Sequence, residues 1–225
     1  MKKSMKKEIL KNDVYKLGAD VCGVADIGRF KDAPEGFHPA DILPEAKSVV
    51  IFGRQFLKSV FKTGTNVPYT MVRNMLLQKL DEIALQLSLG IEAQGFMAVP
   101  IPSSAPYEYW DAERRHGRGI MSLKHAAQLA GVGCIGKNTL LVNESFGNRL
   151  WLGAVLTDME LEPDQPAKSL CPQNCRICLD ACPQGALDGT TIDQKRCREI
   201  SSISTDGGEM ILSCNTCRKV CPFSR

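Results

Sequence analysis

Cys171-Pro172-Gln173-Asn174-Cys175-Arg176-Ile177-Cys178-Leu179-Asp180-Ala181-Cys182-Pro183 decides how this chain reads, and Cys214-Asn215-Thr216-Cys217-Arg218-Lys219-Val220-Cys221-Pro222 repeats its second half. Both end in Cys-x2-Cys-x3-Cys-Pro, the spacing by which bacterial two-cluster ferredoxins hold 4Fe–4S clusters, the cysteine before proline serving the other cluster. On that logic the ligand sets are Cys171, Cys175 and Cys178 with Cys221, and Cys197, Cys214 and Cys217 with Cys182. Two details depart from the simplest spacing. The gap from Cys171 to Cys175 holds one extra residue, and Ile211 stands where a cysteine is expected, which leaves Cys197 to fill that corner from a distance. Zinc would also suit part of the pattern, because Cys175, Cys178, Cys214 and Cys217 could form a four-cysteine site. It would leave four neighbouring cysteines unused. A single cluster or a set of disulfides would likewise account for some of the thiols. Two clusters use all eight, and they imply electron transfer.

The 225 residues, 44% of them hydrophobic, allow one medium domain with a real core and a small second one. No stretch approaches the ~20 apolar residues of a membrane span. The basic start, Lys2 to Lys11, has no apolar segment after it, so the expectation is a cytoplasmic protein without a secretory signal or membrane contact. A net charge of +3 is too mild to argue for nucleic acid.

Outward from the cysteines, the pattern predicts a helix over 5–17 and a buried strand over 19–25. A loop over 31–44 leads to a β-branched strand over 48–53. Val72, Leu76, Leu80, Ile83 and Leu87 recur at helical spacing up to Gly90. Residues 96–99 read as a strand that enters a rigid loop with Pro100, Pro102 and Pro106. Ser122 caps a helix that Gly131 closes, and 139–142 with 150–157 read as a hairpin around a turn at 143–148. Alternating helices and strands predict an α/β domain over 1–162, a hinge-like boundary at 163–166, and a ferredoxin-like module over 163–225.

Gly131-Val132-Gly133-Cys134-Ile135-Gly136 matches G-x-G-x-x-G, but a helix precedes it and a strand follows, the reverse of a dinucleotide site. Asn138 replaces the Ser/Thr of a phosphate loop. The glycines let backbone approach a bulky ligand, or form a tight turn. Cys22 reads as core, and Cys134 as inert more readily than functional. His38 and His116 lie in loops without a partner pattern. His125, just before the glycine turn, could reach a bound ligand or serve structurally. Arg114, Arg115 and Arg118 form a basic loop that is solvated or meets a phosphate-bearing group.

The run Ser122-Leu123-Lys124-His125 through Ala130-Gly131-Val132-Gly133-Cys134-Ile135-Gly136-Lys137-Asn138-Thr139, then Phe146-Gly147 and Trp151-Leu152-Gly153, resembles the epoxyqueuosine reductase family. So does Lys195-Arg196-Cys197-Arg198-Glu199-Ile200-Ser201, which matches the family's lone cysteine between its cluster motifs. The resemblance covers roughly residues 100–225. It implies a cobalamin-dependent iron–sulfur reductase, related in architecture to reductive dehalogenases, whose nitroreductase-like α/β domain holds the corrinoid against the ferredoxin-like module. The residues it points to for the cofactor are Gly133, Cys134, Gly136, Lys137, Asn138 and His125. Two 4Fe–4S clusters would pass single electrons to cobalamin or another corrinoid, and the implied partner is an electron donor such as flavodoxin or ferredoxin.

Departures from the family pattern matter too. Pro68 stands where members carry an acidic proton donor, with Tyr69 a weak catalytic candidate, and Cys134 replaces a tryptophan. The chain stops four residues after Cys221, ahead of the helical-repeat domain of tRNA-acting members. The expectation is therefore against tRNA as a partner, with the substrate unidentified. A second reading is an electron carrier that reduces a separate corrinoid protein.

Overall fold

The computed structural model describes residues 7–224. The helix expected over 5–17 is α1 (Lys7–Lys16), its first residues lying outside the described ones. After it come β1 (Val21–Asp26), a short α2 (Pro39–Ile42), β2 (Ser48–Gln55) and the long α3 (Val67–Glu92). Then follow β3 (Ala98–Ile101), β4 (Tyr109–Asp111), β5 (His116–Arg118), α4 (Leu123–Leu129), β6 (Cys134–Ile135), β7 (Leu141–Val142) and β8 (Leu150–Thr157). The cysteine-rich part holds α5 (Ile177–Asp180), α6 (Gln194–Ser201), β9 (Ile203–Ser204), β10 (Met210–Ile211) and α7 (Thr216–Lys219).

Four strands form an antiparallel sheet in the order β1-β2-β8-β3. Alternate side chains of β2 face opposite ways, which gives the sheet two apolar faces. Val50 and Phe52 meet Leu10 and Val14 of α1 and Leu80, Ile83 and Leu87 of α3. Val49 and Ile51 meet Ala126, Ala127 and Ala130 of the α4 segment with Phe30 and Leu43. The result is an α/β layering with an antiparallel sheet between helices. Cys22 packs in the first of these cores, where burial pushes its thiol up to about 12 and keeps it protonated.

Several expectations change. α3 runs past Gly90 to Glu92, because Ile91 extends its buried face into the core. Pro68 lies in the first helical turn, where a missing N–H costs nothing. Residues 141–142 do not pair with 150–157. β7 pairs with β6 across the glycine turn, while all eight residues of β8 pair with β2 in the middle of the main sheet. The longer ladder wins because it buries apolar side chains on both faces. His38 caps α2, accepting the Ala40 N–H on Nδ1, while the Asp41 carboxylate accepts the His38 N–H.

The segment read as hinge-like is pinned. Asp164 accepts the Val24 N–H at 2.9 Å and ion-pairs with Lys11 at 2.6 Å and Lys7 at 3.2 Å. Burial by itself would raise this carboxyl, but the Lys11, Val24 and Lys7 hydrogen bonds and the Lys11 charge outweigh it and hold its pKa below the ordinary 3.8. A folded pKa below the unfolded one gives stability that is present above pH ~4 and lost as pH falls through the folded value. Asp164→Asn is expected to cost about 1–2 kcal/mol at pH 7, the low end reflecting partial exposure. In urea melts the gap to the parent should close towards pH 3. An equal gap at both pH values would overturn this account.

Candidate metal and cofactor site

The eight cysteines gather into two groups of four, drawn from segments far apart in sequence. Burial raises the Cys178 thiol, and Cys221, Cys171 and Cys175 beside it raise it further. Cys221 is raised by burial and by Cys171 and Cys175, against hydrogen bonds from the Phe223 backbone and the Asn148 side chain. In the other group, burial pushes Cys217 up to about 11, with Arg218 opposing and Cys197, Cys214 and Cys182 reinforcing. Cys197 is raised by burial and by Cys214 and Cys182, with Ser201 and Arg198 opposing. Each neighbourhood therefore takes its fourth thiol from the opposite motif. Among the described residues, no three Cys, His, Asp or Glu side chains converge as a single-ion site.

The glycine turn serves this region. Lys137 Nζ donates to the carbonyls of Gln173 and Cys175, the latter at 3.0 Å, and Asn138 Nδ2 donates to the Cys217 carbonyl at 3.1 Å. Gly136, Lys137 and Asn138 line a small cavity together with Cys171, Cys175, Cys178 and Cys221. Cys134 is buried at 3% exposure, and its Sγ accepts the Leu170 N–H at 3.1 Å. Gly131 has φ +74°, and a Cβ there would lie 2.3 Å from the Gln165 carbonyl oxygen. Its smallness is thus required by the chain leading to the cysteines.

His125 sits elsewhere. It lines a cavity of about 780 Å³ bounded by the 29–37 loop, Gly117 and Arg118 of β5, α4 and Gln194 of α6. Its Nδ1 lies 2.7 Å from Ser122 Oγ, and partial burial with Lys124 nearby lowers its pKa, which leaves a neutral imidazole at pH 7. The volume suits a large organic ligand. The six residues named for the cofactor thus divide: His125 on the large cavity, Gly136, Lys137 and Asn138 beside the thiols, and Gly133 and Cys134 packed between. Tyr69 lies in neither place. Its ring packs on Phe56 at 4.8 Å and Phe61 at 5.9 Å.

Several more residues had no motif to announce them. Gln194 Oε1 accepts the Gly117 N–H and its Nε2 donates to the Gly117 carbonyl, both at 3.1 Å, so α6 is fastened to the β4–β5 hairpin. Arg198 of the same helix lies over Trp110 at 5.0 Å. Asn148 is fully buried and donates to the Arg218 carbonyl at 2.9 Å. Only Arg198 and Arg218 lay inside quoted segments, beside Cys197 and Cys217, and no role was read for either.

The donor set fits iron–sulfur ligation. All eight side chains are sulfur, and Arg218, 6% exposed, has no carboxylate within ion-pair distance among the described residues. A buried cation without a counter-charge is costly, and an anionic group on the thiols would supply one.

No family model matches the chain. The fold is that of a class shared by epoxyqueuosine reductases and a B12-dependent reductive dehalogenase. It superposes on epoxyqueuosine reductase from Streptococcus thermophilus with a TM-score of 0.68 at 22% identity, covering 97% of this chain and 66% of that one. A reductive dehalogenase gives 0.73 at 19% identity, covering 97% and 31%. The chain is related to the epoxyqueuosine reductases in particular: it is 35% identical to that of Listeria monocytogenes over 117 residues, 48% of this chain and 31% of the relative. The Escherichia coli K12 enzyme is 34% identical over 110 residues, 44% of this chain and 29% of the relative. The matched stretch thus spans about a third of the curated relatives.

One finding overturns an expectation. An epoxyqueuosine reductase of this fold was solved with a tRNA-Tyr epoxyqueuosine-modified tRNA stem loop, with a TM-score of 0.66 at 21% identity over 96% of this chain and 64% of that one. The expectation against tRNA does not stand. Mild net charge averages over a surface, whereas RNA meets local cations and aromatic faces. Here Arg114 and Arg115 are exposed in the turn of the β4–β5 hairpin, whose Tyr109 and Trp110 are exposed as well.

Proposed function

We propose that the chain is an iron–sulfur oxidoreductase of the epoxyqueuosine reductase type, which moves single electrons through two 4Fe–4S clusters towards a corrinoid. The grouping of the thiols into two fours, each borrowing one cysteine from the other motif, carries the reading. Cys171, Cys175, Cys178 and Cys221 would hold one cluster, and Cys182, Cys197, Cys214 and Cys217 the other. The division that goes with it is a nitroreductase-like, corrinoid-binding part over 1–162 and a ferredoxin-like part over 163–225.

When bound, the clusters supply one-electron transfer and the corrinoid supplies low-valent cobalt chemistry. The chain's own contribution is positioning. Lys137 and Asn138 fix the carbonyls of the ligand loops, and Gln194 ties α6 to the wall of the large cavity. His125 and Arg118 present polar groups to that cavity, while Phe30, Phe37 and Met121 give it apolar walls. The relatives make epoxyqueuosine in tRNA the first substrate class to test.

Titrating the anaerobically reconstituted protein with hydroxocobalamin checks the corrinoid half. Tight binding with a shifted corrin absorption is expected, weakened at least about tenfold, or ~1.4 kcal/mol, by a bulky Gly119→Trp substitution in the cavity wall. No binding would instead favour the electron carrier, a reading supported by Pro68 and by the burial of Tyr69, which leave no proton donor at that point of α3.

A further inference from the structure

We infer that Arg218 is a built-in counter-charge that raises the reduction potential of the cluster held by Cys182, Cys197, Cys214 and Cys217. The inference rests on the cluster reading above and adds to it which group sets the potential. Arg218 directly follows Cys217 on α7 and is buried at 6% exposure. Its guanidinium donates to the Asn148 carbonyl and lies 5.2 Å from the Trp151 ring centroid. Asn148 in turn donates to the Arg218 backbone carbonyl, so both ends of the residue are fixed.

No carboxylate among the described residues neutralises it. None of the described ion pairs involves Arg218, nor Lys124, whose Nζ donates to the Thr139 carbonyl at 2.6 Å. Burial and Arg218 together lower the Lys124 pKa, so the two cations are close enough to repel. Arg198 adds a cation on the Cys197 side, stacked over Trp110. Near the first four thiols the corresponding cation is Lys137, half-buried and bonded to the Gln173 and Cys175 carbonyls. The buried charge is therefore placed asymmetrically.

Reduction adds one negative charge to a cluster with no bond made or broken and no proton taken up. A fixed cation in a poorly screened site stabilises that added charge and raises the potential. Arg218 is a positioning residue for charge. It touches no substrate.

The test is a redox titration of the full chain after anaerobic reconstitution, with dithionite as the electron source and electron paramagnetic resonance as the readout. In Arg218→Gln, one of the two reduction steps should move to lower potential by at least tenfold in the one-electron equilibrium, which is 59 mV. The second step should move less, since Asn148, which holds the guanidinium, also reaches Cys221, and Arg218→Lys should recover most of the shift. A fully loaded Arg218→Gln protein with both steps unmoved overturns the inference while leaving the clusters standing. Parent protein that binds no iron overturns the cluster reading and this inference with it. If Arg218→Gln fails to hold iron, Arg218→Met is titrated in its place: a lowered step supports the inference, and unmoved steps overturn it.

Discussion

Replacing Cys197 by serine is expected to lower the iron held after anaerobic reconstitution from about eight atoms per chain to about four. Cys197 is the proposed ligand that spacing placed least securely, since it stands alone on α6, well ahead of the Cys214 loop. In three dimensions it lies among Cys182, Cys214 and Cys217. Its loss should open one corner of that cluster only. The group at Cys171, Cys175, Cys178 and Cys221 shares none of those thiols and should keep its iron. Iron and sulfide assays with the visible charge-transfer absorption give the count. An unchanged count would remove Cys197 from the ligand set, and parent protein with one zinc and little iron would restore the four-cysteine zinc site.

Gly147→Ala should produce the largest loss of stability among single substitutions at the interface between the sheet and the cysteine segment. Gly147 has φ +59°, and a Cβ built there would lie 1.5 Å from the Phe223 carbonyl oxygen, a separation no relaxation of a side chain can relieve. The left-handed backbone alone costs about 1–2 kcal/mol for a residue with a Cβ. Displacing the chain at Phe223 also breaks the Asn148 N–H bond to its carbonyl, 3.1 Å long, and loosens the Cys221-Pro222 anchor beside it. A total above about 3 kcal/mol is expected, together with weaker retention of the cluster that uses Cys221. Chemical denaturation and iron retention during gel filtration measure both. A loss under about 1 kcal/mol would mean that the terminal segment is not held against this turn.

Much of this was legible in one dimension because ligation and helix burial leave periodic traces. Cys-x2-Cys-x3-Cys-Pro marks where the thiols gather, and Leu80, Ile83 and Leu87 announce a helix face by spacing alone. The false hairpin shows the limit. Residues 139–142 and 150–157 alternate alike, and nothing local states that β8 has a longer partner in β2. The glycine turn shows another. Its residues looked fit to cradle a flat ligand, yet Gly131 is small because Gln165 backbone lies against it, a neighbour brought there only by the return of the chain.

Local spacing determined the pairing of the cysteine motifs, the α/β class and the kinship with the epoxyqueuosine reductases, since each is written in residues close together along the chain. Tertiary structure alone decided that Lys137 and Asn138 steady the ligand loops, that His125 faces a separate cavity, and that Arg218 is buried without a carboxylate beside the thiols. Those facts depend on which distant segments share a volume from which water is excluded, and distance along the chain carries no record of that.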